Sequence, residues 1–543
     1  MDYQKLADIL FPEVKKTIAD YEKEYPERNL PKGAEVVRFA PSPTGRVHMG
    51  NLYASFIPEV FARQTNGVFT LRIEDTDAKR AIENGIQLIY DDLKAYNYQI
   101  DESPIDGGAY GPYVQSERKD IYATFAKHLV SIGRAYPCFC SEEYLTEMRG
   151  MQEKKKARVG YYGKFTRCRD LSLSEIEEKL SNGVKFVIRL RSLGDYNKKI
   201  TFKDRIKGTM ELTQNDINHV LLKSDGIPPY AFAHVVDDYL MRTTTVTRDD
   251  SYISSVPYHL EIWAAFGFEP PRFAHILPLS IKDGNSFRKL SKRKDPEAAI
   301  SYHHEKGVPK EAIKLYFATI LNSNFDGWYL QNQGKDYHEF NFSFEKMSKS
   351  APLFDMEKLT NLAKNYLSRL TASELYDQFL TWAEEFDEDF AKIITKNKDY
   401  TIAVLNIERE QNKPRKDFAF YSEIKEHIWY MYDELFTNEI CCCQVNDKDE
   451  CADIVNQYVD KYYDIKDNKE NWFNKMKELA VANGYADEMS RYKENPEKYK
   501  GSIADISNMI RVAVTSKTTT PDLYEILKLL GTERIKARIK QCK

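Results

Sequence analysis

The apolar positions change period along the chain, and each change predicts an element. Residues 1–33 place Leu6, Ile9, Leu10, Val14 and Ile18 at helical spacing, which predicts one short helix closed by a loop at Pro26 and Pro31. A βαβ pattern follows. "EVVRFA" is a short apolar strand, "PSPTGRV" a turn, and "HMGNLYASFIPEVFARQTNG" has the 3.6-residue period of a helix that Pro58 should bend. "VFTLRIE" predicts the next strand, and "AKRAIENGIQLIYDDLKAY" an amphipathic helix.

Residues 114–234 mix helical and strand-like pieces and look like an insertion, with Lys-rich "MQEKKKARV" as a surface segment. "AHVVDDYL" and "RFAHILPLSI" then read as apolar strands, and helical patterns dominate from about residue 300. No repeat of fixed period interrupts this order.

A chain of 543 residues is too long for one core, so several domains are expected. A hydrophobic fraction of 42% supplies those cores. No run of about 18 apolar residues predicts a membrane span, and the charged N-terminus lacks the apolar stretch of a signal peptide. A cytoplasmic protein is expected. The net charge of −4 argues against a uniformly basic nucleic-acid coat but leaves room for local basic faces. "RIKARIKQCK" at the C-terminus carries Arg534, Lys536, Arg538, Lys540 and Lys543 and reads as a solvated helix end. Eight cysteines fit a reducing compartment, with Cys441, Cys442 and Cys443 as free thiols.

Chemistry concentrates first in "RFAPSPTGRVHMGN", residues 38–51. A strand runs into a Pro/Gly turn, and a helix begins near His48. Helix N-termini attract phosphate, Gly45 and Gly50 permit close backbone approach, and His48 and Asn51 share a face of the first turn. Two later stretches could each put lysines on a polyphosphate: "RKLSKRK", with Lys289 and Lys292, and "EKMSKSAP", with Lys346 and Lys349. The first follows an apolar strand and a "KDGNS" turn, where an α/β sheet places ligand contacts. The second has no strand to hold it, so Lys289 and Lys292 are the expected pair.

"RFAPSPTGRVHMGN", "LRIEDTD", "GPYVQSER", "LLKSDGIPPY", "HVVDDYLM" and "RKLSKRK" resemble, in order, the signatures of class I aminoacyl-tRNA synthetases in their glutamyl form. The tail "RVAVTSKTTTPDLYEILKLLG" resembles that family's bacterial C-terminal helical region. A glutaminyl relative would read P-E-P-N-G in place of "PSPTG" and carry a β-barrel anticodon region.

The resemblance implies an α/β protein: a Rossmann-like catalytic domain (34–113 and 235–281), split by an acceptor-end-binding insertion (114–234). The extension 1–33 precedes it. A lysine-loop and stem-contact region (282–360) and a mainly α-helical anticodon-binding region (361–543) follow. It implies ATP-dependent activation of L-glutamate and transfer to tRNA(Glu), with charging of tRNA(Gln) left open. ATP would bring Mg²⁺, and neither DNA nor a membrane would be a partner. A monomer is expected.

By the same resemblance, His48, Asn51, Lys289 and Lys292 would be catalytic. Arg38, Ala40, Ser42, Glu74, Tyr230, His234 and Arg248 would hold glutamate, with Glu74 on the ammonium. His48, Gly50, Tyr252 and Lys292 would hold ATP. Carboxylates suit arginine's planar fork. His234 stands where many relatives have an amide, and Tyr252 where many have tryptophan. Cys138-x-Cys140 with Cys168 and Asp170 resembles the zinc set of some relatives, with aspartate in the place of histidine and Tyr162 as another oxygen donor.

Overall fold

A computed structural model describes residues 1–77, 81–291, 293–437 and 448–540. Lys292, Cys441, Cys442, Cys443 and Lys543 lie outside the described residues. The chain divides into two compact units, Met1–Ile300 with Lys314–Asp355, and Ser301–Ile313 with Met356–Lys543.

In the first unit, residues 1–33 form two helices rather than one. They are α1 (Tyr3–Leu10) and α2 (Ile18–Glu24), separated where Pro12 follows the α1 C-cap and restarted by the Thr17–Asp20 capping box. Leu6, Ala7 and Leu10 of α1 enter the same core as Ile121, Phe125 and Leu129 of α5 (Lys119–Ser131). Arg28 ties this segment down with a bidentate pair to Glu102 at 2.8 Å and a bond to the Met241 carbonyl.

A parallel pair, β1 (Val36–Phe39) and β2 (Val68–Leu71), is joined by α3 (Met49–Gln64). Helix α4 (Gly85–Ala95) follows. Beside β1 stands β8 (Thr245–Asp249), placed there by the bond from Thr244 N–H to the Val36 carbonyl. Strand β9 (Arg272–Ile276) runs parallel to β8, with Arg248 level with His275.

Between α5 and β8 lie β3 (Ala135–Cys138), α6 (Glu142–Lys154), α7 (Leu173–Ser181), β4 (Val187–Leu190), β5 (Lys199–Asp204), β6 (Gly208–Thr213) and β7 (Val220–Leu222). Strands β3, β4 and β7 make an antiparallel sheet of their own. The β5–β6 hairpin instead joins β9 in parallel through Asp204 and Phe273, so part of the inserted stretch completes a four-stranded sheet with β9 and β8.

"AHVVDDYL" is not a strand. It lies in helix α8 (Tyr230–Leu240), where Phe232, Ala233, Val235 and Val236 are buried alongside His234, Asp237 and Asp238. A short run buried on every side has no polar face, and such a run does not separate helix from strand by period. Helix α9 (Val256–Phe266) precedes β9, and a hairpin of β10 (Ser280–Asp283) and β11 (Ser286–Lys289) follows it. "RKLSKRK" therefore springs from a hairpin, not directly from a parallel strand. "EKMSKSAP" is anchored after all: Ser280 of β10 bonds to the Pro352 carbonyl and accepts from Phe354 N–H.

In the second unit the described residues form helices from Met356–Arg369 to Leu523–Lys540 around a core that includes Phe379, Phe390, Tyr432, Ile454 and Ile510. The expectation of a solvated C-terminal helix fails at Arg538. It is buried, donates to the Tyr430 and Val514 carbonyls at 2.7 Å, and lies over the Phe436 ring.

Candidate active site

A cavity of about 400 Å³ opens at the C-terminal ends of β1 and β8. Arg38, Ala40, Glu74, Tyr230 and Arg248 line it, as do His48, Gly50, Asn51, Tyr252 and Lys289. Ser42 and His234 do not. Ser42 is exposed in the turn before α3, and His234 is fully buried, one layer behind the wall. Its ring stacks on Tyr230 at 5.2 Å, so the departure at His234 acts on the tyrosine that faces the cavity, not on a substrate directly.

The corner of the cavity at the start of α3 is built by capping. His48 is the N-cap of α3, its Nδ1 accepting the Asn51 N–H at 3.0 Å, while Asn51 Oδ1 accepts the His48 N–H at 3.3 Å. This reciprocal arrangement fixes the tautomer: Nδ1 is an acceptor, so the ring proton sits on Nε2. Gly50 is required by the same geometry, because a Cβ there would stand 2.9 Å from His48 Cε1. Gly45 holds a backbone φ of +142°, a region that side chains disfavour.

The floor of the cavity rests on buried charges. Asp238 of α8 receives Arg38 Nε at 3.0 Å, Arg72 Nη1 at 2.7 Å and His234 Nδ1 at 3.0 Å. Burial alone would raise this carboxyl, but the two guanidinium groups and His234 hold it far below its usual range. His234, buried, falls to about 4, so its imidazole is neutral and donates Nδ1–H to Asp238. Arg72 also reaches Glu74 at 3.2 Å. Burial pushes Glu74 up to about 7, partly opposed by Arg72 and Arg38. Asp237 binds Arg118, Tyr122 and Gln115, and its Oδ2 also stands 3.9 Å from Arg72 Nε.

The two predicted arginines differ. Arg38 has given its charge to Asp238 and a further bond to the Thr247 carbonyl at 3.1 Å. Arg248 donates Nε to His275 Nε2 at 3.0 Å and Nη1 to His259 Nδ1 at 2.9 Å. Its Nη2 is buried without a partner, and burial pushes the guanidinium below its ordinary value. Lys289, well exposed, rests on Asp249 at 2.9 Å. Arg288 clamps the base of that loop by gripping Asp295 through two bonds, at 2.7 and 2.6 Å.

Arg72, Asp238, His259 and His275 escaped the sequence reading as site residues. One signal was available. The Asp-Asp pair of "HVVDDYLM" stands in an apolar run, and buried carboxylates demand partners.

The cysteine cluster is real, but its oxygen donor is not the expected one. The sulfurs of Cys138, Cys140 and Cys168 lie within 4.8 Å of one another, with Cys140 and Cys168 at 3.7 Å. The Tyr161 hydroxyl is 3.5 Å from Cys138 and 3.3 Å from Cys140. Tyr162 instead donates to the Arg158 carbonyl, and Asp170 points to solvent and pairs with Arg191. Tetrahedral zinc with bonds of about 2.3 Å places sulfurs about 3.8 Å apart, so three thiolates and one phenol fit the ion.

Residues 35–361 match the family described as tRNA synthetases class I (E and Q), catalytic domain, and residues 490–543 match an anticodon binding domain. A glutamate–tRNA ligase of Acetivibrio thermocellus is 44% identical over 545 residues, covering 100% of both chains. One of Clostridium perfringens is 42% identical over 550 residues, covering 100% of this chain and 99% of its own. In fold, the chain is similar to a solved glutamate tRNA ligase of Elizabethkingia meningosepticum, in complex with its amino acid. The TM-score is 0.75 at 24% identity, over 93% of this chain and 98% of that one. A glutamate-tRNA synthetase of Elizabethkingia anophelis gives 0.72, also at 24% identity, over 94% and 99%. The motif order and this full-length likeness agree: the chain belongs to the glutamate–tRNA ligase family of class I aminoacyl-tRNA synthetases.

Proposed function

We propose that the protein activates L-glutamate with ATP and transfers it to the terminal ribose of tRNA(Glu). The observation that carries this reading is the buried Arg248 Nη2, unpaired at a cavity that also presents Glu74 and the α3 N-terminus. A dicarboxylic amino acid supplies what each lacks. Its ammonium meets Glu74, its side-chain carboxylate meets Arg248, and Arg38 has N–H groups left for the α-carboxylate.

The α-carboxylate attacks the α-phosphorus of ATP, and pyrophosphate leaves. The terminal ribose hydroxyl of tRNA then attacks the adenylate carbonyl, and AMP leaves. Positioning and charge stabilisation account for most of such catalysis. His48 Nε2–H, Asn51 and the first turn of α3 face the phosphates, Gly50 leaves room for the nucleotide, and Tyr252 gives it an aromatic wall. Lys289 leaves Asp249 to follow the pyrophosphate, and the resemblance gives Lys292 the same role. Mg²⁺, if brought in with ATP, would neutralise phosphate charge there. The stretch 114–234 would hold the acceptor end and the helical region after 361 would read the anticodon, in a cytoplasmic monomer. Zinc on Cys138, Cys140, Cys168 and Tyr161 would staple the insertion.

Charging assays with separate tRNA(Glu) and tRNA(Gln) transcripts test the function. Glutamate should be attached to tRNA(Glu), and failure with active ATP–pyrophosphate exchange would remove tRNA(Glu) as the substrate. The empty-site pKa of Glu74 sets a second expectation. The ionised form binds the ammonium, so kcat/KM for glutamate should fall about tenfold per pH unit below about 7. Glu74→Gln should flatten that limb, and an unchanged limb would discharge Glu74 from this role. For the lysine stretches, Lys289→Ala should lower kcat by roughly a hundredfold, the scale of one lost transition-state donor. Lys349→Ala should leave adenylate formation nearly intact, and equal losses in the two variants would overturn the assignment. Finally, protein purified without a metal-affinity column should carry about one zinc per chain by elemental analysis. Metal-free protein with an intact fold would end the zinc reading.

A further inference from the structure

Arg38 and Arg248 line the same cavity, yet the fold treats their charges oppositely. Arg38 is neutralised by Asp238. Among the described residues, no carboxylate lies within ion-pair reach of Arg248: its guanidinium donates to two imidazoles, neighbours the Tyr230 hydroxyl and lies over the Phe273 ring, all neutral groups. A guanidinium has donors only, so His275 Nε2 and His259 Nδ1 must each present a lone pair to it. Both rings are therefore neutral on their Arg248-facing side. For His275 the tautomer is fixed from behind: its Nδ1 lies 2.7 Å from Asp204 Oδ2, which also accepts the His275 N–H at 3.0 Å. Asp204 is buried and held in turn by the N–H groups of Ile206 and Lys207 at 2.9 and 2.8 Å. It stands at the end of β5, so the inserted stretch contributes to the amino-acid pocket. His259 comes from α9 and packs edge-on against His234 at 4.6 Å.

We propose that His259 and His275, the latter oriented by Asp204, are specificity-determining positioning residues: they hold Arg248 with neutral acceptors so that its charge stays uncompensated until a substrate carboxylate arrives. The inference rests on Arg248 reading the glutamate side chain. Glutamate and glutamine differ little in shape, so a hydrophobic wall separates them poorly. A guanidinium already paired with a protein carboxylate would lose little by meeting a neutral amide. An unpaired, buried one loses its only counter-charge, and the discrimination follows from what the protein withholds.

The test changes the charge of the cradle while keeping its acceptor atoms. Asn carries an oxygen near the position of a histidine Nδ1, and Gln near that of Nε2. His259→Asn and His275→Gln should therefore keep the parent's preference for glutamate over glutamine in ATP–pyrophosphate exchange with tRNA present. His259→Asp and His275→Glu place a carboxylate at the same points. Each should cut the ratio of kcat/KM values by about tenfold or more, through a raised KM for glutamate. The KM for ATP should stay within about twofold, which a general loss of packing would not respect. An undiminished ratio in the acidic variants would overturn the proposal, as would an equal loss in the neutral ones. Arg248→Ala runs alongside. If it keeps the parental preference, the underlying reading of Arg248 fails. If it loses the preference while the acidic variants keep it, the histidine cradle alone is wrong.

Discussion

The charge on Asp238 is the constraint around which the site is arranged. A carboxylate with no solvent access is costly unless fully paired, and removing one partner of such a group costs roughly 3–5 kcal/mol. Asp238 meets this demand with Arg38 from β1, Arg72 from the end of β2 and His234 one turn back on α8. The two arginine bonds tie α8 to the ends of β1 and β2, while the His234 bond stays within the helix. They bring Tyr230, on the same helix face, to the cavity wall, and through Arg72 they set Glu74 beside it. The pocket's acid and its aromatic wall are thus consequences of one neutralised charge. Asp237, with Arg118 and Tyr122, ties α8 to the start of α5.

Much of this could be read from the sequence, for a physical reason. Strand β1 and helix α3 have clear periods, and "RFAPSPTGRVHMGN" compresses a strand end, a turn and a cap into 14 consecutive positions, so local chemistry determines it. Helix α8 was misread because its burial on all sides erases the polar face that marks a helix. The break between α1 and α2 was missed because the apolar positions continue through it, while Pro12 and the Thr17 cap interrupt the backbone. Partners far apart in sequence were not legible at all. Nothing near Arg248 announces His259 or His275, and nothing near Cys140 says that Tyr161, not its neighbour Tyr162, will turn inward.

The inserted stretch is less separate than its sequence suggests. Its β3–β4–β7 sheet and cysteine cluster form a local body, but its β5–β6 hairpin belongs to the sheet of β8 and β9. The first 33 residues are likewise integrated. Their apolar face fills the α5 core, and Arg28 joins Glu102 to the end of α8. Elements that look like additions in the linear order therefore brace the helix that carries Tyr230 and Asp238.

The cap on α3 has a consequence for how the signature can change. His48 holds the Asn51 amide, Asn51 holds the His48 amide, and Gly50 leaves the space in which the imidazole sits. These positions form one unit, so the harm done by a first replacement already includes most of the harm a second would add. Double-mutant cycles across them should be strongly sub-additive. Drift through the motif one position at a time then meets its whole penalty at the first step, which leaves the three residues to persist together or to be abandoned together.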